Sequence, residues 1–415
     1  LLPHFLLRML RRGGYARDFA QRVGWYAPAE AARLAAPGRP IWIQAVSVGE
    51  LAVAFSFMDE LRHRRPATRF VLTTNTSTGH ALALKRIAPP DVTLYFPMDV
   101  PWVVPRALRR IRPAAIVLVE NELWPNLIRY AARQGIPTIM INGRISEHSF
   151  RGYRRIRFLT RRLLPQLHWF CVRDRLLALG APAEKIEVTG SAKYDIGATP
   201  PTSEVRARAV LANIGVKTGD PVLVGGSTWS GEEDVLLDIA QKVRASHPRL
   251  MLVLVPRHAE RREDVLAAIR QRGMSAILRS QFPDHAPPPV QRPDVLLVDT
   301  TGELRGFYAA AHVVFVGKSL TQVGGQNPIE PAKDGKPVVV GPHMENFPEI
   351  TRDFQDARAW RQVRDAAELQ EVILRLLGDC EERARLGKAA AELVARKAGA
   401  TRGMALRVLE SSVWE

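Results

Sequence analysis

An α/β fold of two doubly wound domains facing across a cleft is what this sequence predicts, and three observations carry the prediction. Short apolar, β-branched runs alternate with amphipathic stretches of helical period. The alternation occurs twice, and a proline-rich break near residue 200 separates the two series. A chain of 415 residues also exceeds one ordinary core, so two domains, or three, are expected from length.

In the first series, IWIQAVSV (41–48), FVLTT (70–74), TLYFP (93–97), AAIVLVE (114–120), PTIMIN (137–142) and WFCV (169–172) read as strands, with IEVTG (186–190) as a last one. They are almost continuously apolar, as strands covered on both faces of a parallel sheet should be. DIGATPPTSEVRARAV, with Pro200 and Pro201 adjacent, reads as the seam. The second series follows with PVLVGG (221–226), LMLVLVP (250–256), SAILR (275–279), DVLLVD (294–299), AHVVFVG (311–317) and KPVVVG (336–341). FPDHAPPPVQRPD interrupts it as a surface loop, and everything from about Ala366 onward reads as helix. The expected boundaries are 1–198 for the first domain, 199–209 for a linker and 210–390 for the second domain. Residues 391–415 are expected to be a helix packing back on the first.

Lys and Arg total 59 against 42 Asp and Glu, a formal charge of +17, which favours an anionic partner: nucleic acid, an acidic membrane surface or a phosphorylated substrate. The only cysteines, Cys171 and Cys380, lie far apart and in no metal-ligand spacing, which argues against a disulfide framework and a structural zinc. No apolar run reaches the ~20 residues that cross a bilayer. The start, LLPHFLLRMLRR, is apolar but broken by Pro3, His4 and Arg8, and reads as a short or truncated anchor or a peripheral amphipathic segment.

Several strand ends carry chemistry. SVGE (47–50) sets Glu50 where a buried strand hands over to a helix, an address at which ligands bind in such folds. The same acid would also simply suit a helix N-terminus. VLVENELWPN (117–126) offers Glu120 and Glu122, and INGRIS (141–146) offers Asn142, Arg144 and Ser146 on a neighbouring loop. VFVGKSL (314–320) is no P-loop, because the glycine required five positions before Gly317 is His312. No G-x-G-x-x-G follows any strand. After it, LTQVGGQNPIEPAKDG places Gly324 and Gly325 for close backbone approach, Asn327 to cap a helix, Pro328 in its first turn and Glu330 within reach of ribose hydroxyls. An ordinary capped helix uses the same residues, and both readings stand at this point. PVLVGGSTWSGEED (221–234) offers Ser227 and Thr228 to an anion, and LVPRHAER (254–261) sets Arg257 and His258 just after a strand. RGYRRIRFLTRRLLP (151–165) reads as a basic helix with an apolar side, interleaving six arginines, Arg154 and Arg155 among them, with Tyr153, Ile156, Phe158 and Leu159. That pattern suits a surface meeting phosphates and acyl chains, a solvated arginine face, or nucleic acid.

Together these stretches resemble the Kdo transferases, which attach 3-deoxy-D-manno-octulosonic acid (Kdo) from CMP-Kdo to the lipid A precursor. The matches run in order along nearly the whole chain: SVGE (47–50), ELWPN (122–126), N-x-R-x-S (142–146), TGSAKYD (189–195), GSTWSGEE (226–233), PRHAER (256–261), TTGEL (300–304), GGQNPIEPA (324–332) and GPHMENF (341–347). The resemblance implies a GT-B fold with an N-terminal acceptor domain and a C-terminal CMP-Kdo domain. It implies that Glu50 is the base of an inverting single displacement. It places Glu122, Asn142, Arg144 and Lys193 on the acceptor and Kdo side, with Arg154 and Arg155 beside them. Ser227, Thr228, Arg257, His258, Gly324, Gly325, Gln326, Asn327, Glu330, Met344 and Asn346 fall to the donor: Ser227, Gly325 and Asn327 at the phosphate, Glu330 at the ribose. It further implies no metal and no other cofactor, CMP-Kdo, the lipid A precursor and an anionic membrane surface as partners, and a place on the cytoplasmic face of the inner membrane. Trp229, Lys318 and Gln326 depart from the family's pattern, which more often has His, Gly and His at those positions. The rival expectations are a transferase of the same fold using another activated sugar, a non-catalytic lipid-binding protein, and a nucleic-acid-binding protein, for which no recognition motif is present. Whether one or more Kdo units are added is not written in these motifs.

Overall fold

A computed structural model describes residues 18–120, 123–143, 147–172, 175–187, 190–195 and 199–410. The chain forms two compact units, residues 1–195 with 398–415, and residues 196–397. Glu122, Arg144, Ser146 and the apolar start expected to act as an anchor lie outside the described residues.

The first unit is built on a seven-stranded sheet of β1 (Ile41–Gln44), β2 (Phe70–Thr74), β3 (Val92–Tyr95), β4 (Ala115–Val119), β5 (Thr138–Gly143), β6 (Trp169–Val172) and β7 (Ile186–Glu187). Every pairing is parallel, in the order β3-β2-β1-β4-β5-β6-β7. Alternate residues feed two cores, as the pleat requires. Trp42, Ile116, Leu118 and Met140 pack on one face with helices Val104–Ile111 and Pro125–Arg133. Ile41, Ile43, Val117, Val119 and Ile139 pack on the other with Leu51 and Phe57 of helix Val48–Arg64. That second core is completed by Met404, Ala405 and Val408 of the last helix, Ala400–Glu410. Asp195 holds the start of that helix, its carboxylate accepting from the backbone N–H groups of Gly399 and Thr401 at 2.5 Å each.

The second unit carries β8 (Val222–Thr228), β9 (Met251–Pro256), β10 (Ala276–Leu278), β11 (Val295–Leu297), β12 (Val313–Val316), β13 (Val338–Val340) and β14 (Arg361–Gln362). They too pair in parallel, in the order β10-β11-β9-β8-β12-β13-β14. Helices Glu232–Val243, Arg262–Gln271 and Ala366–Gly378 contribute Leu236, Leu237, Ile269, Leu369 and Ile373 to one face of this sheet.

Three sequence expectations need correction. Residues 199–209 are not a linker but most of helix Pro201–Asn213, because Pro201 at its first position starts a helix instead of breaking one. The terminal segment changes unit at residue 398 and not at 391, since 391–397 complete the helix Cys380–Lys397 of the second unit. The basic stretch 151–165 is not one helix: Glu147–Arg155 ends, Ile156 leaves helical geometry at φ −109°, ψ 30°, and Arg157–Leu163 starts afresh.

Candidate functional site

In a doubly wound sheet ligands bind beyond the carboxyl ends of the strands where the strand order reverses. Here that point lies between β1 and β4 in the first unit and between β8 and β12 in the second. The residues following these four strands therefore stand at the expected ligand positions.

After β1, Ser47 caps helix Val48–Arg64, its hydroxyl accepting from the Glu50 N–H at 3.2 Å. Glu50 turns its carboxylate back to accept from the Val46 N–H at 2.6 Å. This fixes Glu50 at the strand end with only 9% of its surface exposed. Burial raises its pKa above the ordinary carboxylate value, against the opposing hydrogen bonds from Val46 and Ser47, and the negative charge of Glu120 pushes it further the same way. The helix N-terminus, which alone would favour the charged form, does not prevail. Glu120 follows β4 with its backbone in the left-handed region, φ 59°. Asn142, at the end of β5 and itself at φ 48°, donates from Nδ2 to Glu120 at 3.3 Å and accepts from the Ala192 N–H at 3.0 Å. It thereby joins the strand ends to the turn Ala192–Asp195 that carries Lys193. Two left-handed non-glycine residues cost of order 1–3 kcal/mol each, and such strain gathers at functional sites.

Glu120 is thus linked to Glu50 through its charge and to Asn142 by a hydrogen bond, and Lys193 is on the turn that Asn142 holds. Glu120 was visible in the sequence as half of an acidic pair, but its relation to Glu50 depends on β1 lying beside β4. Asn126 serves structure: its amide and that of Leu127 donate to the Asp99 carboxylate at 3.0 and 2.7 Å, which caps helix Pro125–Arg133. Arg154 and Arg155 are exposed at the end of helix Glu147–Arg155, and neither is among the groups that contact Glu50, Glu120 or Asn142. A cavity of about 660 Å³ in this unit lies at the other end of the strands, where Pro40 and Pro113 precede β1 and β4, and it contains none of the candidate residues.

In the second unit the buried carboxylate of Glu232 joins the two switch-point loops. It accepts from the backbone N–H groups of Trp229 (2.9 Å), Lys318 (2.8 Å), Ser319 (2.9 Å) and Leu320 (2.9 Å). Ser227, at φ 52°, hydrogen-bonds the hydroxyl of the fully buried Tyr308. Gly226 must be glycine, because a Cβ there would lie 2.2 Å from that hydroxyl. Burial, and next the charge of Glu330, raise the Tyr308 pKa well above its ordinary value. Burial likewise raises the pKa of Glu330, opposed by the charges of Arg305 and Arg257. Tyr308 thus links Ser227 to Glu330, and Glu330 in turn feels the charge of Arg257. Thr228 is fully buried, and its hydroxyl has no hydrogen-bond partner among the described residues. The exposed His258 meets the Trp229 ring edge-on, with centroids 5.1 Å apart.

Gly324 and Gly325, at φ 126° and 74°, let the next loop fold tightly, and the Gly325 N–H donates to the Lys318 carbonyl at 2.7 Å. A Cβ at Gly324 would lie 2.6 Å from Asn346 Nδ2, and one at Gly325 2.5 Å from Met344 Sδ. Met344 and Asn346 therefore lie against the two glycines, with Met344 buried. Asn327 caps the helix start as expected, its side chain accepting from the Ile329 N–H at 3.1 Å, with Pro328 between it and helix Ile329–Lys333. Gln326 is half-buried beside it. Among the described residues no three His, Cys, Asp or Glu side chains cluster as metal ligands.

Comparison with known proteins shows the family. Residues 17–196 match the family model described as 3-deoxy-D-manno-octulosonic-acid transferase (kdotransferase). The chain is 34% identical over 417 residues to the 3-deoxy-D-manno-octulosonic acid transferase of Bordetella pertussis, covering 95% of this chain and 92% of that protein. It is 31% identical over 394 residues to the protein of the same description from Haemophilus influenzae, covering 93% and 89%. Among solved structures it resembles a UDP-GlcNAc 2-epimerase from Neisseria meningitidis (13% identity, TM-score 0.60, 90% of this chain and all of that one). A glycosyltransferase from Rickettsia africae matches similarly (12% identity, TM-score 0.57, 91% and 100%). At such identities these two show the fold alone, GT-B. Carried by the full-length relatives, the conclusion is that the chain is a glycosyltransferase and belongs to the 3-deoxy-D-manno-octulosonic acid transferase family.

Proposed function

We propose that this transferase moves Kdo from CMP-Kdo to the lipid A precursor by a single inverting displacement, with Glu50 as the general base. The acceptor hydroxyl gives its proton to the Glu50 carboxylate as its oxygen bonds to the anomeric carbon. The carbon–oxygen bond to the phosphate breaks, and CMP leaves with that electron pair. The observation that best supports this reading is the raised pKa of a carboxylate fixed at the switch point by the Val46 N–H. A base works best when its pKa approaches the working pH, and such catalysis contributes about 10²–10⁴-fold.

On this reading Asn142 and Lys193 serve the acceptor side of the first unit, as do Glu122 and Arg144. Ser227, Gly325 and Asn327 receive the donor phosphate, with Arg257 and His258 near its charge and Glu330 at the ribose. The enzyme works at the cytoplasmic face of the inner membrane, where exposed Phe158 and Leu159 among Arg154, Arg155 and Arg157 suit an anionic lipid surface. CMP release from CMP-Kdo, with and without a tetraacylated lipid A precursor, tests the proposal in wild type and Glu50→Gln. Acceptor-dependent release that falls by about 10²–10⁴-fold in the variant is expected. Release that survives the substitution moves the base elsewhere, and no release from wild type points to another activated sugar.

A further inference from the structure

Two residues from the two switch-point loops of the second unit touch each other. Lys318 follows β12 and Trp229 follows β8, so the pair straddles the switch point of the second unit. The Lys318 ammonium lies 4.5 Å from the centre of the Trp229 ring. Its Cε passes 3.5 Å from the place a Cβ would take on Gly324, so the side chain lies along the two-glycine loop. Among the described residues no carboxylate pairs with this ammonium. Glu232, the acid nearest its backbone, is occupied by four N–H groups, and Glu345, beside the loop, accepts from the Gly324 N–H and pairs with His343.

Lys318 has a conformational cost as well. Its backbone sits at φ 56°, a region that glycine enters freely and a lysine does not. A lysine there is strained, its charge is unpaired, and an indole face holds it at a fixed place. A lysine left to move in solvent needs no ion-pair partner, but it would carry neither the strain nor the fixed ring contact.

We propose that Lys318 is an additional donor-binding residue of this chain, its ammonium held by Trp229 over the Gly324–Gly325 loop to meet the phosphate of the cytidine nucleotide. The inference rests on the donor-site reading given above and adds to it a cation at the switch point of the second unit. Trp229 acts through Lys318, as a positioning residue. Its indole N–H, buried with no acceptor among the described residues, leaves the ring to contribute its face and not a hydrogen bond.

Calorimetric titration with CMP and with cytidine, which lacks the phosphate, tests this on wild type, Lys318→Met, Lys318→Gly and Trp229→Leu. Both Lys318 variants should bind CMP about 10-fold more weakly and cytidine unchanged. Trp229→Leu should weaken CMP about 2–5-fold, and only while Lys318 is present. Lys318→Gly should melt within about 3 °C of wild type, since relieved backbone strain offsets the lost ring contact, so weaker binding cannot be ascribed to a damaged fold. CMP affinity within 2-fold of wild type in both Lys318 variants overturns the inference while leaving the donor site standing. Equal loss of CMP and cytidine overturns it too, by making the lysine structural. A wild-type protein that binds neither compound removes the donor-site reading itself, and this inference with it.

Discussion

Glu50 carries opposing influences, and the balance has measurable consequences. Its folded pKa is raised, so the folded state holds that proton more tightly than the unfolded chain. The contribution to stability is therefore fully present below the ordinary carboxylate pKa and is lost as pH rises through the raised value. Glu50→Gln removes that loss, so the variant should melt at or above the wild-type temperature at pH 8, with the difference shrinking as pH falls. Scanning calorimetry at both ends of this range checks the sign. Glu120 adds to the elevation through its charge. Glu120→Gln should therefore shift the acid limb of kcat/KM to lower pH, and an unmoved limb would separate that limb from Glu50. The position of Glu50 was legible from SVGE alone. Its pKa was not, because desolvation and a partner seventy residues away depend on packing that no local pattern encodes.

At the scale of elements, single buried carboxylates tie distant loops. Glu232 satisfies four backbone N–H groups from two loops eighty-odd residues apart. A glutamine offers one oxygen and sets an NH₂ against donors. Glu232→Gln should therefore cost about 3–5 kcal/mol in urea unfolding, where a surface glutamate would cost nearly nothing. In the first unit the last helix completes the core, so Met404→Ala should cost about 2–5 kcal/mol. Most of this architecture was written in the sequence, since buried parallel strands are continuous apolar runs that survive any choice of neighbour. β14 was missed because Arg361 and Gln362 are polar, half-buried and only two residues long. Helix Pro201–Asn213 was missed because a Pro-Pro pair signals a break and a helix start equally well. The contacts of Glu232 and the Lys318–Trp229 pair were illegible for a different reason: both follow from β8 lying beside β12, which is topology and not pattern.

For the whole molecule the governing quantity is a formal charge of +17. Spread evenly, such a surplus would make binding to any polyanion strong and indiscriminate; gathered in one place, it becomes a docking device. Around the break at Ile156 the first unit exposes Ile156, Phe158 and Leu159 at 41, 64 and 49% among Arg154, Arg155 and Arg157. The two short helices meeting there present apolar and cationic groups together, as a headgroup boundary requires and a solvated arginine face does not. Among the described residues no helix is long and apolar enough to cross a bilayer, so this patch is where the membrane reading can be tested on its own. Each arginine near an anionic surface contributes about 1 kcal/mol, so replacing all three with Gln should weaken binding to phosphatidylserine vesicles roughly 100-fold at low salt. Raising the salt should close the gap, because the contribution is screened within a Debye length of about 10 Å at 0.1 M. Phe158→Ser should weaken binding by an amount that salt does not change, since acyl contact carries no charge. Vesicle co-sedimentation at two ionic strengths separates the two. If duplex DNA instead binds more tightly than vesicles, and the triple variant loses DNA and not vesicles, the patch is a nucleic-acid surface and the membrane assignment falls.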